Sequence, residues 1–215
     1  MKPFMAGSWI VHAPTLTGLH GATDPEPASV GLADHVAWIV ALIDDLASRK
    51  IVIVGHSYGA MVAAEVAERR PERVAGLVIV DGFIATAGLS IFDQHPEIAS
   101  LLLSLVDPAK PGMIQPPPAE MLIAPGETLP GWAESRLVAM PLATHSKPAR
   151  CSAADLQCPV AYLACSRFAP LVPVHSQARR LGWDVHDIDA GHLAPLTSPA
   201  EVARAVAEAI ERMER

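Results

Sequence analysis

A serine between two glycines offers the clearest chemistry in this chain. The turn Gly55-His56-Ser57-Tyr58-Gly59 follows the apolar run 51–54 and precedes an amphipathic stretch. A serine on a tight strand-to-helix turn has its hydroxyl exposed at the head of the helix, where it can attack a carbonyl group. Ser57 is therefore the candidate nucleophile. Turns of this kind also join strands to helices without catalysis, so the prediction depends on the groups around the serine.

A serine hydroxyl needs a base to remove its proton. Among the histidines, His192 is the candidate because it follows the last predicted strand and precedes the last predicted helix. Loops at the carboxyl ends of parallel strands gather at one edge of a sheet. His56 should flank the site without acting as the base, and His12 is ambiguous. The others are interpreted as residues of the surface or of a lid: His20, His35, His95, His145, His175 and His186.

The elements that must position these residues alternate between strands and helices, which is typical of a parallel sheet flanked by helices. Strands are predicted at 9–12, 51–54, 74–80, 160–164 and 184–188, and helices from about Asp34, after the serine turn, at 174–181 and from Pro199. The run 51–54 is continuously apolar, which favours a central strand. Ser198 and Glu201 predict a capping box at the start of the last helix.

Residues 84 to about 155 interrupt this alternation. Prolines are frequent there, while leucine, isoleucine and methionine remain common. A segment of this length and composition favours a folded lid over a disordered insert. The predicted fold class is therefore α/β, a single domain over 1–215, with a helical lid inserted after the third predicted strand.

The composition limits the classes of partner. Hydrophobic residues make up 51% of the chain and charged residues 18%, and the formal net charge is −7. Nucleic acids and anionic membranes need basic surfaces, so a small molecule is the expected partner. No apolar run reaches the ~18 residues of a membrane span. Cys151, Cys158 and Cys165 lack the paired spacing of a zinc site. We expect reduced thiols, no metal, no cofactor and a cytoplasmic protein.

Five motifs resemble the α/β-hydrolase superfamily, and within it the small esterases that include plant methylesterases and hydroxynitrile lyases. In chain order they are Ala13-Pro14-Thr15-Leu16-Thr17-Gly18, the serine turn 55–59, Val80-Asp81-Gly82-Phe83, Pro141-Leu142-Ala143-Thr144 and Gly191-His192. The resemblance implies an α/β-hydrolase fold with Ser57 as nucleophile and His192 as base. It places His56 and Phe83 beside the substrate pocket. It also implies that the opening strands of the family are missing here, because the first motif belongs to a later strand.

The acid that orients the histidine departs from the family pattern. The family usually carries it after the strand before the last, where this chain reads Cys165-Ser166-Arg167-Phe168-Ala169-Pro170. Related hydrolases place it at the end of an earlier strand, which makes Asp81 the candidate here. Asp81 could instead cap a turn, which would leave a dyad assisted by water. Asp187, within a strand, and Asp189, close in sequence to His192, are the remaining alternatives.

An acyl-transfer site also needs donors for the oxyanion. The backbone N–H of Tyr58, the residue after the nucleophile, supplies one. In the family the second comes from the loop after an opening strand that this chain lacks. If strand 9–12 takes the vacant place, 12–14 would form the corresponding turn. Pro14 has no N–H to donate, so Thr15 is the candidate for the second donor.

Together these residues predict a serine esterase that hydrolyses small carboxylic esters through an acyl-enzyme on Ser57. The apolar residues of the lid favour a small hydrophobic pocket. A hydroxynitrile-lyase reaction is one alternative, with Lys147 or Lys110 beside the leaving cyanide. A non-catalytic ligand-binding protein is the other, since the usual acid and oxyanion segment are absent. An open sheet edge would also favour a homodimer.

Overall fold

The computed structural model describes residues 9–19, 27–47 and 50–214; His20 lies outside these ranges. The strands are β1 (Ile51–His56), β2 (Val74–Val80), β3 (Met113–Ile114), β4 (Met140–Pro141), β5 (Val160–Cys165) and β6 (Asp184–Ile188). The α-helices are α1 (Leu32–Asp45), α2 (Gly59–Arg69), α3 (Ile91–Gln94), α4 (Pro96–Ser104), α5 (Ala143–Ser146), α6 (Val172–Arg180), α7 (Ala194–Thr197) and α8 (Pro199–Met213). None of the helices in the described ranges is long and apolar enough to cross a bilayer.

Four strands form one parallel sheet in the order β1-β2-β5-β6. β2 and β5 lie in the middle, and every residue of β5 is buried. Strands covered on both faces are expected to be continuously apolar, and these two are almost entirely so. The predicted mostly parallel sheet flanked by helices is therefore confirmed.

Alternate residues of β2 pack into two separate cores. Leu77 and Ile79 lie in the cluster that includes α1 and α2, whereas Val78 and Val80 lie in the cluster that includes α8. Successive side chains of a strand point to opposite faces. Burial of each such side chain contributes roughly 1.5–3 kcal/mol. The carboxyl end of β2 is consequently held between two layers of helices.

The continuously apolar sequence of β1 predicts a central strand, but β1 is the first strand in the order of the described sheet. Among the described residues it pairs with β2 alone, and Val54 is 48% exposed while Val78, its register partner, is fully buried. The predicted strand 9–12 is wrong, because these residues have no regular secondary structure and Ile10 is 81% exposed. A strand requires a hydrogen-bonded neighbour, and 9–12 does not pair with the outer edge of β1.

Both helices form, but the N-cap predicted at Asp34 is wrong. Ser198 is the N-cap of α8 and Pro199 its first residue, as predicted, whereas the predicted capping box does not form. α1 begins at Leu32 after Gly31 as N-cap, and Asp34 accepts the Gly31 N–H at 2.8 Å from the third helical position. Ser198 makes no side-chain cap at α8. Its backbone N–H is bonded at 2.8 Å to the carbonyl of Ala194, because Ser198 also ends the preceding helix α7.

The chain between β2 and β5 contains the segment 84–155, which we call the insertion. It holds α3, α4 and α5 and the antiparallel pair β3–β4. Some of its apolar side chains are buried, such as Ile91 and Met113, and others are exposed, such as Leu101 and Trp132. The segment is therefore folded and partly helical, and its role as a lid stays a prediction.

All three cysteines are free thiols. Cys151 and Cys165 are buried and Cys158 is partly buried. Burial, reinforced by the charge of Glu65, raises the pKa of the Cys151 thiol to about 12. A thiol held neutral in this way packs as a small apolar side chain.

Candidate active site

Two strand ends carry backbone strain. Ser57 has a φ of 53° and Asp81 a φ of 43°, both in the left-handed region that non-glycine residues avoid. Each residue directly follows a parallel strand, β1 or β2. Such conformations cost on the order of 1–3 kcal/mol and concentrate at functional sites.

Close packing at these two turns depends on Gly55 and Gly82. A Cβ on Gly55 would lie 2.8 Å from Cα of Ala60, and one on Gly82 would lie 2.8 Å from the carbonyl oxygen of Ser57. Gly59 has nothing within 4 Å of an added Cβ. The tight turn therefore leaves no room for a side chain at Gly55 but does at Gly59. Gly82, which follows Asp81 after β2, is the second position where an added side chain would collide with its neighbours.

A chain of hydrogen bonds joins Ser57, His192 and Asp81. The Oγ of Ser57 lies 2.9 Å from Nε2 of His192, whose Nδ1 lies 2.7 Å from Oδ2 of Asp81. An ionised carboxylate can only accept hydrogen bonds, so Nδ1 carries the proton and Nε2 has a lone pair for the serine hydroxyl. The structure thus brings together the three residues predicted from the sequence.

Asp81 is fully buried and accepts three hydrogen bonds. Besides His192, the Nε2 of His175 donates to Oδ1 at 2.6 Å and the backbone N–H of Cys165 donates at 3.1 Å. Burial acts to raise the pKa of Asp81, but the hydrogen bonds from both histidines hold it below its ordinary value. The carboxyl group is therefore ionised at neutral pH.

His175 is buried, so its interpretation as a residue of the surface or of a lid is wrong. It lies on α6, 94 residues from Asp81 in sequence. One sequence signal could have indicated its burial. Ala178, three residues later, is also buried, and residues three apart share one face of a helix. Nothing in the local sequence indicates that this face meets a carboxylate.

His56 positions the loop that carries His192. Its Nε2–H donates to the backbone carbonyl of His192 at 2.8 Å, and the two rings lie 4.8 Å apart. Phe168 also stacks on the His192 ring, with centroids 4.6 Å apart. Burial and then the charge of His192 lower the pKa of His56 to about 4, so it remains a neutral donor. His56 thus flanks the site, as expected from its position in the turn.

The chain matches the model of the alpha/beta hydrolase family over residues 3–205. It belongs to that family. It is 29% identical to Lipase LipV of Mycobacterium tuberculosis, over 91% of this chain and 81% of that protein. It is 26% identical to the carbendazim hydrolyzing esterase of a Nocardioides species, over 92% and 86%. The predicted resemblance to this superfamily is confirmed.

Solved structures support the same fold. An extracellular α/β-hydrolase from a Paenibacillus species, described as homologous to tobacco salicylic acid binding protein 2, superimposes with a TM-score of 0.72 at 22% identity. The match covers 91% of this α/β-hydrolase and 85% of that chain.

In this α/β-hydrolase the insertion contacts the histidine loop, which we define as residues 189–193. The carboxylate of Glu127 accepts the N–H of Gly191 at 3.0 Å and the N–H of Ala124 at 2.7 Å. The N–H of Leu193 donates to the carbonyl of Leu122 at 3.1 Å. A Cβ on Gly191 would collide with the backbone nitrogen of Ala124. Segment 122–127 therefore packs directly on the backbone beside His192.

Tyr58 connects the other side of the serine turn to segment 15–19. Its hydroxyl lies 2.8 Å from Nδ1 of His35, whose Nε2 donates to the carbonyl of Thr17 at 2.7 Å. The Tyr58 ring stacks on His145 with centroids 5.2 Å apart. His35 is fully buried, so its interpretation as a residue of the surface or of a lid is wrong. His145 lies in the insertion, as expected, and is also buried.

The remaining candidates are exposed, and their side chains form none of the hydrogen bonds of this chain. Asp187 and Asp189 are exposed, and Asp187 is paired with an arginine of α6. Lys110 and Lys147 are also exposed, which removes the support for a cation beside a leaving cyanide. Thr15 is exposed, and its role as an oxyanion donor stays a prediction. In the described part of the chain no group of three or more His, Cys, Asp or Glu side chains is arranged so that it could hold a metal ion.

Proposed function

We propose that this α/β-hydrolase is a serine esterase that hydrolyses small carboxylic esters through an acyl-enzyme on Ser57. The observation that carries the proposal is the continuous hydrogen-bond chain from Ser57 through His192 to Asp81. Nδ1 of His192 carries the proton and donates to Asp81, so Nε2 is free to act as the general base toward Ser57. Two relatives bear the names lipase and esterase, which supports an ester as the substrate.

The proposed first half of the reaction acylates Ser57. Nε2 of His192 takes the proton of the serine hydroxyl as Oγ attacks the ester carbonyl. The imidazolium that forms is stabilised by the ionised carboxylate of Asp81 through Nδ1–H. When the tetrahedral intermediate collapses, His192 returns the proton to the leaving alcohol. The carbon–oxygen bond to that alcohol breaks, and the acyl group remains on Oγ.

Water completes the proposed cycle. His192 takes a proton from a water molecule that attacks the acyl-enzyme, then donates it to Oγ of Ser57 as the acid leaves. In both halves the negative charge on the former carbonyl oxygen needs N–H donors. We propose the backbone N–H of Tyr58 as the first donor and that of Thr15 as the second.

The pocket beside Ser57 is proposed to be small and mostly apolar. Phe83 is buried, its N–H donates to the carbonyl of Ser57 at 3.3 Å, and its ring lies 5.3 Å from that of His95. Aromatic walls of this kind favour short acyl chains or aromatic esters. The insertion is proposed to act as a lid, because segment 122–127 contacts the histidine loop.

Hydrolysis of p-nitrophenyl butyrate tests the proposal. In the Ser57→Ala variant kcat should fall by roughly 10⁴-fold or more, because the nucleophile is lost. Ser100→Ala is the matched control, since the exposed hydroxyl of Ser100 on α4 bonds only the Pro96 carbonyl of its own helix among the described residues; its kcat should equal that of the wild type. Equal rates for the wild type and Ser57→Ala would contradict the proposal.

A fluorophosphonate probe separates an enzyme from a binding protein. An activated serine should be labelled once, at Ser57, and the label should be absent from Ser57→Ala. A wild-type protein that stays unlabelled would support the non-catalytic alternative instead. Release of cyanide from mandelonitrile would support the lyase alternative, which has no inward-facing lysine at 110 or 147 to favour it.

A further inference from the structure

The carboxylate of Asp81 has an imidazole on each of its two oxygens. Oδ2 meets Nδ1 of His192 at 2.7 Å, and Oδ1 meets Nε2 of His175 at 2.6 Å. All three side chains are buried. The mechanism proposed above uses the His192 side of the carboxylate and leaves His175 without a role.

The position of Asp81 makes a partner on Oδ1 necessary. A buried carboxylate that accepts a hydrogen bond on one oxygen only would be costly to ionise and free to rotate about χ2. Here the N–H of Cys165, at the end of β5, donates to Oδ1 at 3.1 Å. His175 adds a shorter hydrogen bond to the same oxygen from α6. Oδ1 is therefore fixed from two elements, and this leaves Oδ2 aimed at His192.

His175 is itself held in place. The ring of Tyr162 meets it edge to face at 5.7 Å, and the Tyr162 hydroxyl donates to the carbonyl of Gly82 at 2.8 Å. One side chain of β5 thus contacts His175 and binds the residue that follows Asp81. The groups that face His175 from the neighbouring strands are the carboxylate of Asp81 and the phenol of Tyr162. The ion pair between Arg179 and Asp187 lies on the exposed side of α6.

We propose that His175 is a positioning residue for the reaction: its Nε2–H holds Oδ1 of Asp81, so that Oδ2 stays oriented toward His192. This inference rests on the proposed function, because it gives Asp81 the role of the acid. A neutral imidazole is sufficient for the role, since one N–H is donated and no proton is transferred. His175 therefore acts through Asp81 and does not touch the reacting atoms.

Two amide substitutions make a matched test. In His175→Gln the side-chain NH₂ reaches the place of Nε2 and can still donate to Oδ1. In His175→Asn the amide is one carbon shorter and ends near the place of Nδ1. Both variants remove the ring and keep a neutral polar side chain, so they differ mainly in reach. The kcat and KM for p-nitrophenyl butyrate are measured from about pH 5 to 9, with thermal unfolding as a control of folding.

The proposal expects a difference between the two variants. His175→Asn should lose roughly ten- to hundredfold in kcat, the range of one hydrogen bond to a charged group, with KM changed by less than about threefold. The acid limb of its pH profile should move to higher pH, because a carboxyl that loses a donor is protonated more easily. His175→Gln should keep kcat within about fivefold of the wild type and the wild-type pH profile.

Two results would overturn the proposal. One is a His175→Asn variant with the kcat and pH profile of the wild type. The other is an equal fall of kcat in both variants with unmoved pH profiles, which would mean that His175 only fills space. The failure of the proposed function is recognised separately, by a wild-type protein whose hydrolysis does not depend on Ser57. If hydrolysis depends on Ser57 and the two amide variants behave alike, only the role of His175 is lost.

Discussion

Two groups of buried histidines lie on opposite sides of the serine turn, and they differ by one carboxylate. In the first group His175 and His192 both donate to Asp81. In the second group His35 and His145 lie against Tyr58, and their hydrogen-bond partners within the described ranges are all neutral. His35 lies between the Tyr58 hydroxyl and a backbone carbonyl, and Nδ1 of His145 bonds the Thr144 hydroxyl at 2.8 Å.

The comparison shows that burial alone does not make a histidine a proton carrier. Burial lowers the pKa of His35, and it lowers the pKa of His145 to about 4. These imidazoles remain neutral and act as fixed hydrogen-bonding groups. His192 is also buried, but it has a carboxylate that can stabilise its cation. The first group is therefore suited to move a proton, and the second to hold the turn in place.

The largest effect should come from removing the carboxylate from the first group. Asp81→Asn retains the shape of the side chain but cannot stabilise the His192 cation and can favour the wrong tautomer. We expect kcat for p-nitrophenyl butyrate to fall by roughly 10³–10⁴-fold. The control is Asp34→Asn, an exposed carboxylate next to His35, which should leave kcat unchanged. A loss of less than tenfold in Asp81→Asn would mean that His192 needs no carboxylate.

The second group should make the fold sensitive to acid. The folded-state pKa of His145 is about 4, against an ordinary value of 6.5. Above pH 6.5 neither state is protonated. Between pH 6.5 and 4 the unfolded chain takes up a proton at His145 that the folded chain excludes. As the pH is lowered through this range, the unfolding free energy should therefore decrease. The decrease from this residue should be up to about 1.4 kcal/mol per pH unit, or about 3 kcal/mol in all.

Urea unfolding at several pH values measures this slope. The His145→Asn variant retains a side-chain N–H near the Thr144 hydroxyl and has no titratable ring. It should be less stable than the wild type at pH 7, and its unfolding free energy should depend less steeply on pH between 6.5 and 4. Equal slopes in the two proteins would show that folding does not lower the pKa of His145.

A smaller effect is expected from Tyr58→Phe, which removes the hydroxyl that donates to His35. The Nδ1 of a fully buried imidazole would lose its partner, at a cost of about 1–3 kcal/mol. For a chain of this size, Tm should fall by roughly 2–4 °C per kcal/mol. The backbone N–H proposed for the oxyanion is retained, so kcat should change by no more than about threefold. A large loss of kcat at unchanged Tm would assign Tyr58 to the chemistry instead.

The sequence predicts well where a local pattern decides the structure. Strand 184–188 has the predicted bounds because alternation and flanking turns mark it, and the turn around Ser57 lies between the strand and the helix that the pattern indicates. His192 could be proposed as a neighbour of Ser57 because carboxyl ends of parallel strands share one edge of the sheet, whereas Asp81 could be proposed from the resemblance to hydrolases that place the acid at this strand end.

Features that depend on distant contacts could not be predicted in this way. The apolar run 51–54 is the same for a central strand and for one with an exposed face, so the sequence did not indicate that Val54 would be exposed. His175 is an ordinary member of a helix until α6 is packed beside Asp81. Ser198 is the N-cap of α8, as its sequence predicts, but α7 also ends on it. Its side chain makes no cap hydrogen bond to α8.

The contact between segment 122–127 and the histidine loop has a mechanical consequence. Because the Glu127 carboxylate and the Leu122 carbonyl hold the backbone on both sides of His192, this part of the insertion cannot swing outward without displacing the imidazole from Ser57. If the insertion acts as the lid proposed above, it should open by movement elsewhere in 84–155. On heating, loosening of the insertion would disconnect the base while the sheet is still intact, so inactivation would precede global unfolding.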